Sequence, residues 1–458
     1  MNIVIAGAGK VGMELVRQLS KSNRIVVIDR ERALVENLIN VYDVIGFCGS
    51  ATDCRLQKEA QVDKADLLIA TTSDDEINIL SCLIAKKLGV KNTIARIRDP
   101  ENEQMLSFMD EELGLSMSIN PEKSAAQAIA RVLCFPAAMK IETFSGGRLE
   151  LIEYRIPSSS LLDGLALRSL SETVRARLLV CGVTRKGETA IPLGNYTLQA
   201  GDTIYFTAAP REAARFFRAL GVFREKASYV MIAGVGKMCF YLVSELLGLG
   251  MKVKVVDPDE QRCEEICAEF PKISAAVGRG EDTDFLLEEG IEKADGFVAI
   301  TASDEANVLM CLSVADRYPE CKVTAKINRQ STVDFVTRSN LIDSIISTSA
   351  FTSETILQYV RAMQDAASGT VKSLHRLAND KIEALEFHIS YEAEFIGRPL
   401  SETRFIPGVL IAGIVRKNDI IIPCGSDSIQ LDDDVIVITS ASDITDIRDI
   451  FAKQGSEK

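Results

Sequence analysis

The residues of this chain best placed to do chemistry are glycines. Gly7-Ala8-Gly9-Lys10-Val11-Gly12 follows the apolar run Ile3-Val4-Ile5-Ala6 and opens a helical pattern, and an acid, Asp29, closes the next apolar run about twenty residues on. That context is what a dinucleotide site requires. Gly7 permits the tight turn, Gly9 lets a pyrophosphate approach the backbone, and Gly12 lets the helix lie close on the sheet. The helix start supplies N–H donors and partial positive charge to phosphates. Asp29 is expected to accept from ribose hydroxyls and to repel a 2′-phosphate, favouring NAD over NADP, an inference that Arg30 beside it weakens. Thr72, Ser73 and Asp74 follow the strand pattern Leu67 to Ala70, at the carboxyl edge where open sheets hold ligands. Arg96 and Arg98 alternate with Ala95 and Ile97, which puts two guanidinium groups on one face within reach of phosphates; without a ligand they read as a solvated edge pair. The turn is not a P-loop, because Lys10 is followed by Val11 where a Mg-binding Ser or Thr is needed.

Other chemistry is scarce. The only histidines are His375 and His388, read as a surface residue and a strand-end residue, so no His-rich metal site is available. No G-x-S-x-G elbow occurs. Tyr318 and Lys322 have reductase-dyad spacing, but Pro319 lies between them and prevents one helical face from presenting both. The 11 cysteines lack CxxC spacing, which points to a reducing compartment with neither a disulfide framework nor a zinc ribbon. No catalytic residues and no metal ligands are expected. The alternative, an NAD-dependent oxidoreductase of unknown substrate, needs a substrate lobe with an acid–base pair, and no segment reads as one.

The elements that must position these residues repeat. Ile3 to Gly12 returns as Val230 to Cys239, with Gly234-Val235-Gly236-Lys237-Met238 in place of the first turn; Arg24 to Asp29 returns as Lys252 to Asp257, and Lys64 to Asn78 as Lys293 to Asn307. Leu149 to Tyr154 returns as Ile382 to Phe387, and Val180 to Lys186 as Ile411 to Lys417. The chain is therefore a tandem duplication with lobes in the order A, B, A′, B′. In lobes A and A′, short Val/Ile/Leu/Ala runs without polar alternation are separated by helix-length segments, the pattern of an α/β, Rossmann-like, doubly wound parallel sheet. The smaller lobes B and B′ read as α+β. The expected boundaries are 1–120, a crossover helix at 121–139, 140–225, 227–350, a second crossover helix at 351–369, and 370–458. Lobe A′ keeps two glycines and the acid, but Gly12 becomes Cys239, Arg30 becomes Pro258, Arg96 becomes Lys326 and Arg98 becomes Asn328. A second site is expected there, with looser helix packing and less positive charge.

A net charge of −13 argues against a nucleic-acid partner bound through its phosphates. The start of the chain has no basic segment before its first strand, so no signal peptide is expected, and the apolar window Tyr229 to Met251 carries Lys237, Glu245 and several glycines, which reads as strand, turn and helix rather than a membrane span.

The chain resembles the RCK/KTN family of nucleotide-sensing domains and, within it, the peripheral subunits of bacterial Trk potassium uptake systems. The resemblance runs over the whole length. It is carried by the Gly7–Gly12 turn with Asp29, the Gly49-Ser-Ala-Thr-Asp53 turn, the Ala70–Glu76 strand end and Arg98. It implies binding of NAD(H) and of ATP or ADP, ring assembly as a homotetramer, a cytoplasmic position on the inner face of the cell membrane, and control of a membrane potassium-translocating subunit. All these nucleotides share the ADP half that Gly9 and Asp29 would grip, so the motif does not choose among them. Nor does the sequence say whether lobes B and B′ hold a regulator such as a cation or a cyclic dinucleotide.

Overall fold

The computed structural model describes residues 1–102, 105, 115–134, 139–145, 147–221, 227–339, 342–365, 371–378, 381–417, 419–440, 444 and 446–451. The chain divides into two compact units, Met1–Ala130 with Ser228–Leu357 and Arg131–Ala227 with Gln358–Lys458. The first unit thus gathers both glycine-turn lobes, and the second both smaller lobes.

In the first unit, lobe A is built on β1 (Asn2–Ala6), β2 (Arg24–Asp29), β3 (Ile45–Cys48), β4 (Leu67–Ala70), β5 (Asn92–Arg96) and β6 (Met117–Ile119). All pair in parallel, in the order β3-β2-β1-β4-β5-β6. The central strands are the most apolar because helices cover both their faces: Ile3, Ile5 and Ala6 of β1 and every residue of β4 are 0% exposed. Between β1 and β4 the strand order reverses, and loops leaving their carboxyl ends diverge to leave a crevice. Helices Lys10–Leu19, Arg32–Val41, Cys54–Glu59 and Asp75–Leu88 connect the strands. Lobe A′ repeats the arrangement with strands Tyr229–Ala233, Lys252–Asp257, Ser274–Val277, Gly296–Ala299, Lys322–Lys326 and Ser344–Ile346, in the same order. Helix Pro121–Cys134 follows the first sheet and Thr348–Asp365 the second; residues 135–138 and 366–369 of the expected crossover segments lie outside the described residues.

The second unit holds two antiparallel five-stranded sheets. Strand Leu149–Arg155 pairs with Thr203–Ala208 and Lys140–Phe144, and its repeat Ile382–His388 pairs with Asp434–Thr439 and Val371–Leu377. In the central strands, period-2 alternation gives two apolar faces. Leu149, Leu151 and Tyr205 share a buried cluster with Ile382, Ala384 and Ile436 of the other lobe, while Ile152, Tyr154 and Phe206 pack on Phe216 and Phe217 of helix Pro210–Ala219. The surface position expected for His375 is corrected here. Its side chain is 16% exposed, lies 3.2 Å from a Glu142 carboxylate oxygen and meets Phe144 edge-on at 4.9 Å, because its strand contributes one face to the joint core. His388 does close its strand, with Nδ1 2.8 Å from Asp434.

Candidate functional site: two glycine turns at the sheet edges

Each glycine of the first turn answers a different constraint. Gly7 has φ +109°, and a Cβ there would stand 2.9 Å from the backbone of Thr71 and Thr72. At Gly12 a Cβ would lie 1.9 Å from the Gly7 carbonyl oxygen, so the helix approaches the turn as no other residue allows. A Cβ on Gly9 would meet nothing within 4 Å. No neighbour accounts for the glycine there, whereas a ligand against the backbone would.

Helix Lys10–Leu19 starts at Gly9 with no side-chain cap and no acid in its first turn, and helix Lys237–Gly248 starts the same way at Gly236. Of the other helix starts at these sheet edges, that of Arg32–Val41 is likewise bare, with no side-chain cap from Glu31, but five others contrast with the two turns. Asp53, Asp74, Asp259, Asp282 and Ser303 each cap their own helix with a side-chain oxygen. The two turns therefore keep unsatisfied N–H groups and an uncompensated dipole pointed at the crevice. Ala8 and Val11 bury their side chains, so they can offer a ligand only backbone, while Lys10 is exposed.

Asp29 ends β2 beside the turn. One carboxylate oxygen accepts from the Ala8 N–H at 2.6 Å and the other from the Glu31 N–H at 2.8 Å. The acid thus clasps the glycine turn to the next loop, and being half-buried it keeps lone pairs toward the crevice. Arg30 reaches across to the Ser50 hydroxyl at 3.1 Å. Thr72 and Asp74 serve their own loop: the Thr72 hydroxyl donates to Asn78 at 2.7 Å, and Asp74 accepts from the Ile77 N–H. Ser73 accepts from Arg98 through its carbonyl, and Arg98 also lies 3.4 Å from Asp75. The residues singled out in lobe A therefore converge at the carboxyl ends of β1, β2, β4 and β5.

Two residues that hold this edge together escaped the sequence reading. Asn78, fully buried, accepts from the Thr72 N–H and donates to the Arg96 carbonyl, tying the β4 loop to the end of β5. Asp75 accepts from the Arg98 and Asp99 N–H groups at 2.8 Å each. Burial works to raise its carboxyl, but those two N–H groups with Lys237 and Arg98 outweigh it and bring it below the usual range. Asn307 and Asp304 repeat the same bonds in lobe A′. Their retention in the Lys64–Asn78 and Lys293–Asn307 repeat was the available signal.

The lobes of the first unit also touch near the turns. Lys237 lies 2.9 Å from Asp99, Asn120 donates to the Tyr241 hydroxyl at 2.7 Å, and Gln127 donates to Glu245 at 3.1 Å. Arg96 turns inward, 3.7 Å from Glu122. Burial pushes the Glu122 carboxyl up, against the opposing pull of Arg96, Arg98 and Lys326, and burial likewise lowers Arg96 and Lys326.

The second turn differs in detail. Gly234 has φ +106°, and Val235 donates to Asp257 at 2.7 Å, mirroring Gly7 and Ala8. Cys239 carries a Cβ where Gly12 has none; Gly236 shifts to φ −118° from the −68° of Gly9, and the Cys239 N–H bonds to the Gly236 carbonyl. Met238 is buried, and Asn328 accepts from Thr348 and Ser347 instead of presenting a charge.

The TrkA-N domain model matches residues 3–121 and 230–348, more than half of the chain, and the TrkA-C domain model matches 151–221 and 384–452. The chain belongs to the TrkA family. The Trk system potassium uptake protein TrkA homolog of Archaeoglobus fulgidus is 29% identical over 453 residues, covering 98% of this chain and 100% of its own length. Trk system potassium uptake protein TrkA of Haemophilus influenzae is 28% identical over 460 residues, covering 98% of each. Among solved structures, the GsuK channel bound to NAD aligns at TM-score 0.63 and 18% identity, covering 96% of this chain and 76% of that one; the GsuK RCK domain aligns at 0.62 and 19%, covering 95% and 92%. Those two likenesses show the fold. TrkA-family chains are regulatory rather than enzymatic, which sets the oxidoreductase alternative aside. Among the described residues no helix is long and apolar enough to cross a membrane, and no cluster of potential metal ligands occurs.

Proposed function

We propose that the chain is a nucleotide-sensing regulatory subunit that gates potassium uptake through a Trk-type membrane transporter, with NAD(H) and ATP or ADP as ligands of its glycine turns. The observation that carries this reading is the bare helix start at Gly9, open to solvent and flanked by Asp29. In the first site the N–H groups of the Gly7–Gly12 turn would hold phosphates with Lys10 and Arg98, and Asp29 and Arg30 would take the ribose; Gly234 to Met238 and Asp257 would form a second site. Support comes from the GsuK channel, a fold relative solved with NAD, and from the relatives that carry the potassium uptake name.

A ligand shifts a conformational equilibrium only by binding one state better than the other. Phosphates arriving near Arg98 or Lys237 would compete with Asp75 and Asp99 for those cations, and so alter the contacts between lobes A and A′. The chain would act as a homotetramer at the cytoplasmic face of the membrane, held there by its transporter. Calorimetric titration of the full chain with NADH, NAD, ATP and ADP tests the ligand assignment, with oligomer size measured on the same sample. Saturable binding lost on Gly9→Val is expected, and no binding of any of the four would refute it.

A further inference from the structure

We infer that Arg279 is the adenosine-end contact of the second nucleotide site, supplying from the opposite wall the guanidinium that Arg30 supplies in the first. The inference rests on the nucleotide reading above and assigns a residue to it that neither the motif nor the repeat singled out.

In lobe A the loop after β3 packs on the acid that ends β2: the Gly49 N–H donates to the Asp29 carbonyl at 2.8 Å. One residue further on, Ser50 receives the Arg30 guanidinium at 3.1 Å. Lobe A′ keeps the frame, with the Gly278 N–H donating to the Asp257 carbonyl at 3.0 Å, but exchanges the two walls. Pro258 stands where Arg30 was, and Arg279 stands where Ser50 was. Each lobe thus has one arginine at this corner of the crevice, carried on opposite loops.

The surroundings leave Arg279 as the charged group on offer. It is exposed, and its side chain makes no hydrogen bond or ion pair among the described residues. Lys237 is engaged by Asp99, and Lys326 by the Ile300 carbonyl. Asp257 is 5% exposed, with its two oxygens accepting from Val235 and Asp259, so it is less open to a ribose than Asp29. A planar guanidinium can stack on an adenine face while donating to ribose oxygens, which gives the second site a grip on adenine nucleotides that the buried acid does not.

The test is calorimetric titration of the full chain with ADP, using wild type, Arg30→Ala, Arg279→Ala and the swap Arg279→Ser/Pro258→Arg, with thermal unfolding to verify folding. Two ADP sites per chain are expected. Arg279→Ala should weaken one of them about tenfold, the loss expected for one charged contact. Arg30→Ala should weaken the other, and the swap should restore the weakened site, which a merely structural role for Arg279 would not allow. Two intact ADP sites in Arg279→Ala, or a swap that restores nothing, would overturn the inference while leaving the nucleotide reading in place. A wild type that binds no ADP at either site would overturn both.

Discussion

Replacing Asp29 by alanine should weaken nucleotide binding and destabilise the ligand-free chain at once, because the same carboxylate does two jobs. In the structure it accepts from the Ala8 and Glu31 N–H groups at 2.6 and 2.8 Å. Ala8 is fully buried, so water does not replace its lost acceptor, and an unsatisfied buried donor costs about 1–3 kcal/mol. Glu31 is exposed and its N–H can be hydrated, so it adds little. At roughly 2–4 °C per kcal/mol for a unit of this size, the melting temperature should fall by several degrees. The lost ribose acceptor removes about 1.5–3 kcal/mol of binding, roughly ten- to a hundredfold in affinity for NADH or ATP. Asp29→Asn, which keeps one acceptor oxygen, should fall between the two. Asp257→Ala is the control: it frees the equivalent Val235 and Asp259 N–H groups and should cost similar stability while leaving the first site intact. The assays are scanning calorimetry without nucleotide and isothermal titration with it. Unchanged affinity in Asp29→Ala would refute the ribose role, and an unchanged melting temperature would refute the clasp.

Three further outcomes follow from the same geometry. Gly12→Ala drives a Cβ into the Gly7 carbonyl and should cost about 2–4 kcal/mol in denaturant unfolding, whereas Gly9→Ala, with open space and an ordinary φ, should leave stability unchanged; equal costs would contradict this account of the turn. Burial pushes the Glu150 carboxyl up to about 7, with Arg131 opposing. A folded value above the unfolded one means that this group's favourable contribution is complete at low pH and is lost as pH rises toward 7, so Glu150→Gln should stabilise the chain by about 3 kcal/mol at most at pH 8 and by nothing near pH 4. Urea melts across that range check the sign, and a gain at pH 4 would reverse it. Arg98→Ala should blunt the distinction between activating and inhibiting nucleotides in potassium flux, by removing the cation held between Ser73 and Asp75; an unaltered nucleotide response would exclude Arg98 from the switch.

The fold was legible because its signals are local and doubled. Uninterrupted apolar strands, the turn from Gly7 to Gly12, and the return of both in the second half allow few solutions other than two parallel sheets. Long-range pairing was not legible. Nothing in the order A, B, A′, B′ says that the glycine-turn lobes form one unit and the smaller lobes another, or that Lys237 of one turn meets Asp99 of the other lobe. His375 was misjudged for the same reason, since the face that buries it comes from a lobe more than two hundred residues away. Within the site, Gly7, Gly12 and Asp29 were readable because turn geometry fixes their type. Asn78 and Asp75 looked like ordinary polar residues at a helix start, and only the backbone groups they satisfy distinguish them. The exchange of Arg30 for Arg279 was hidden because the compensating residue lies on a different loop.

Direct measurement of flux tests whether nucleotide occupancy of these turns controls a potassium transporter. Purified Trk-type transporter would be reconstituted in liposomes with the full chain on the cytoplasmic side, and potassium uptake recorded with NADH, NAD, ATP or ADP, for wild type and for Gly9→Val. Flux should depend on which nucleotide is present, Gly9→Val should remove the dependence on the first site, and transporter binding should change nucleotide affinity by the same factor, as linkage requires. Flux indifferent to all four nucleotides, from a chain shown by titration to bind them, would contradict that control.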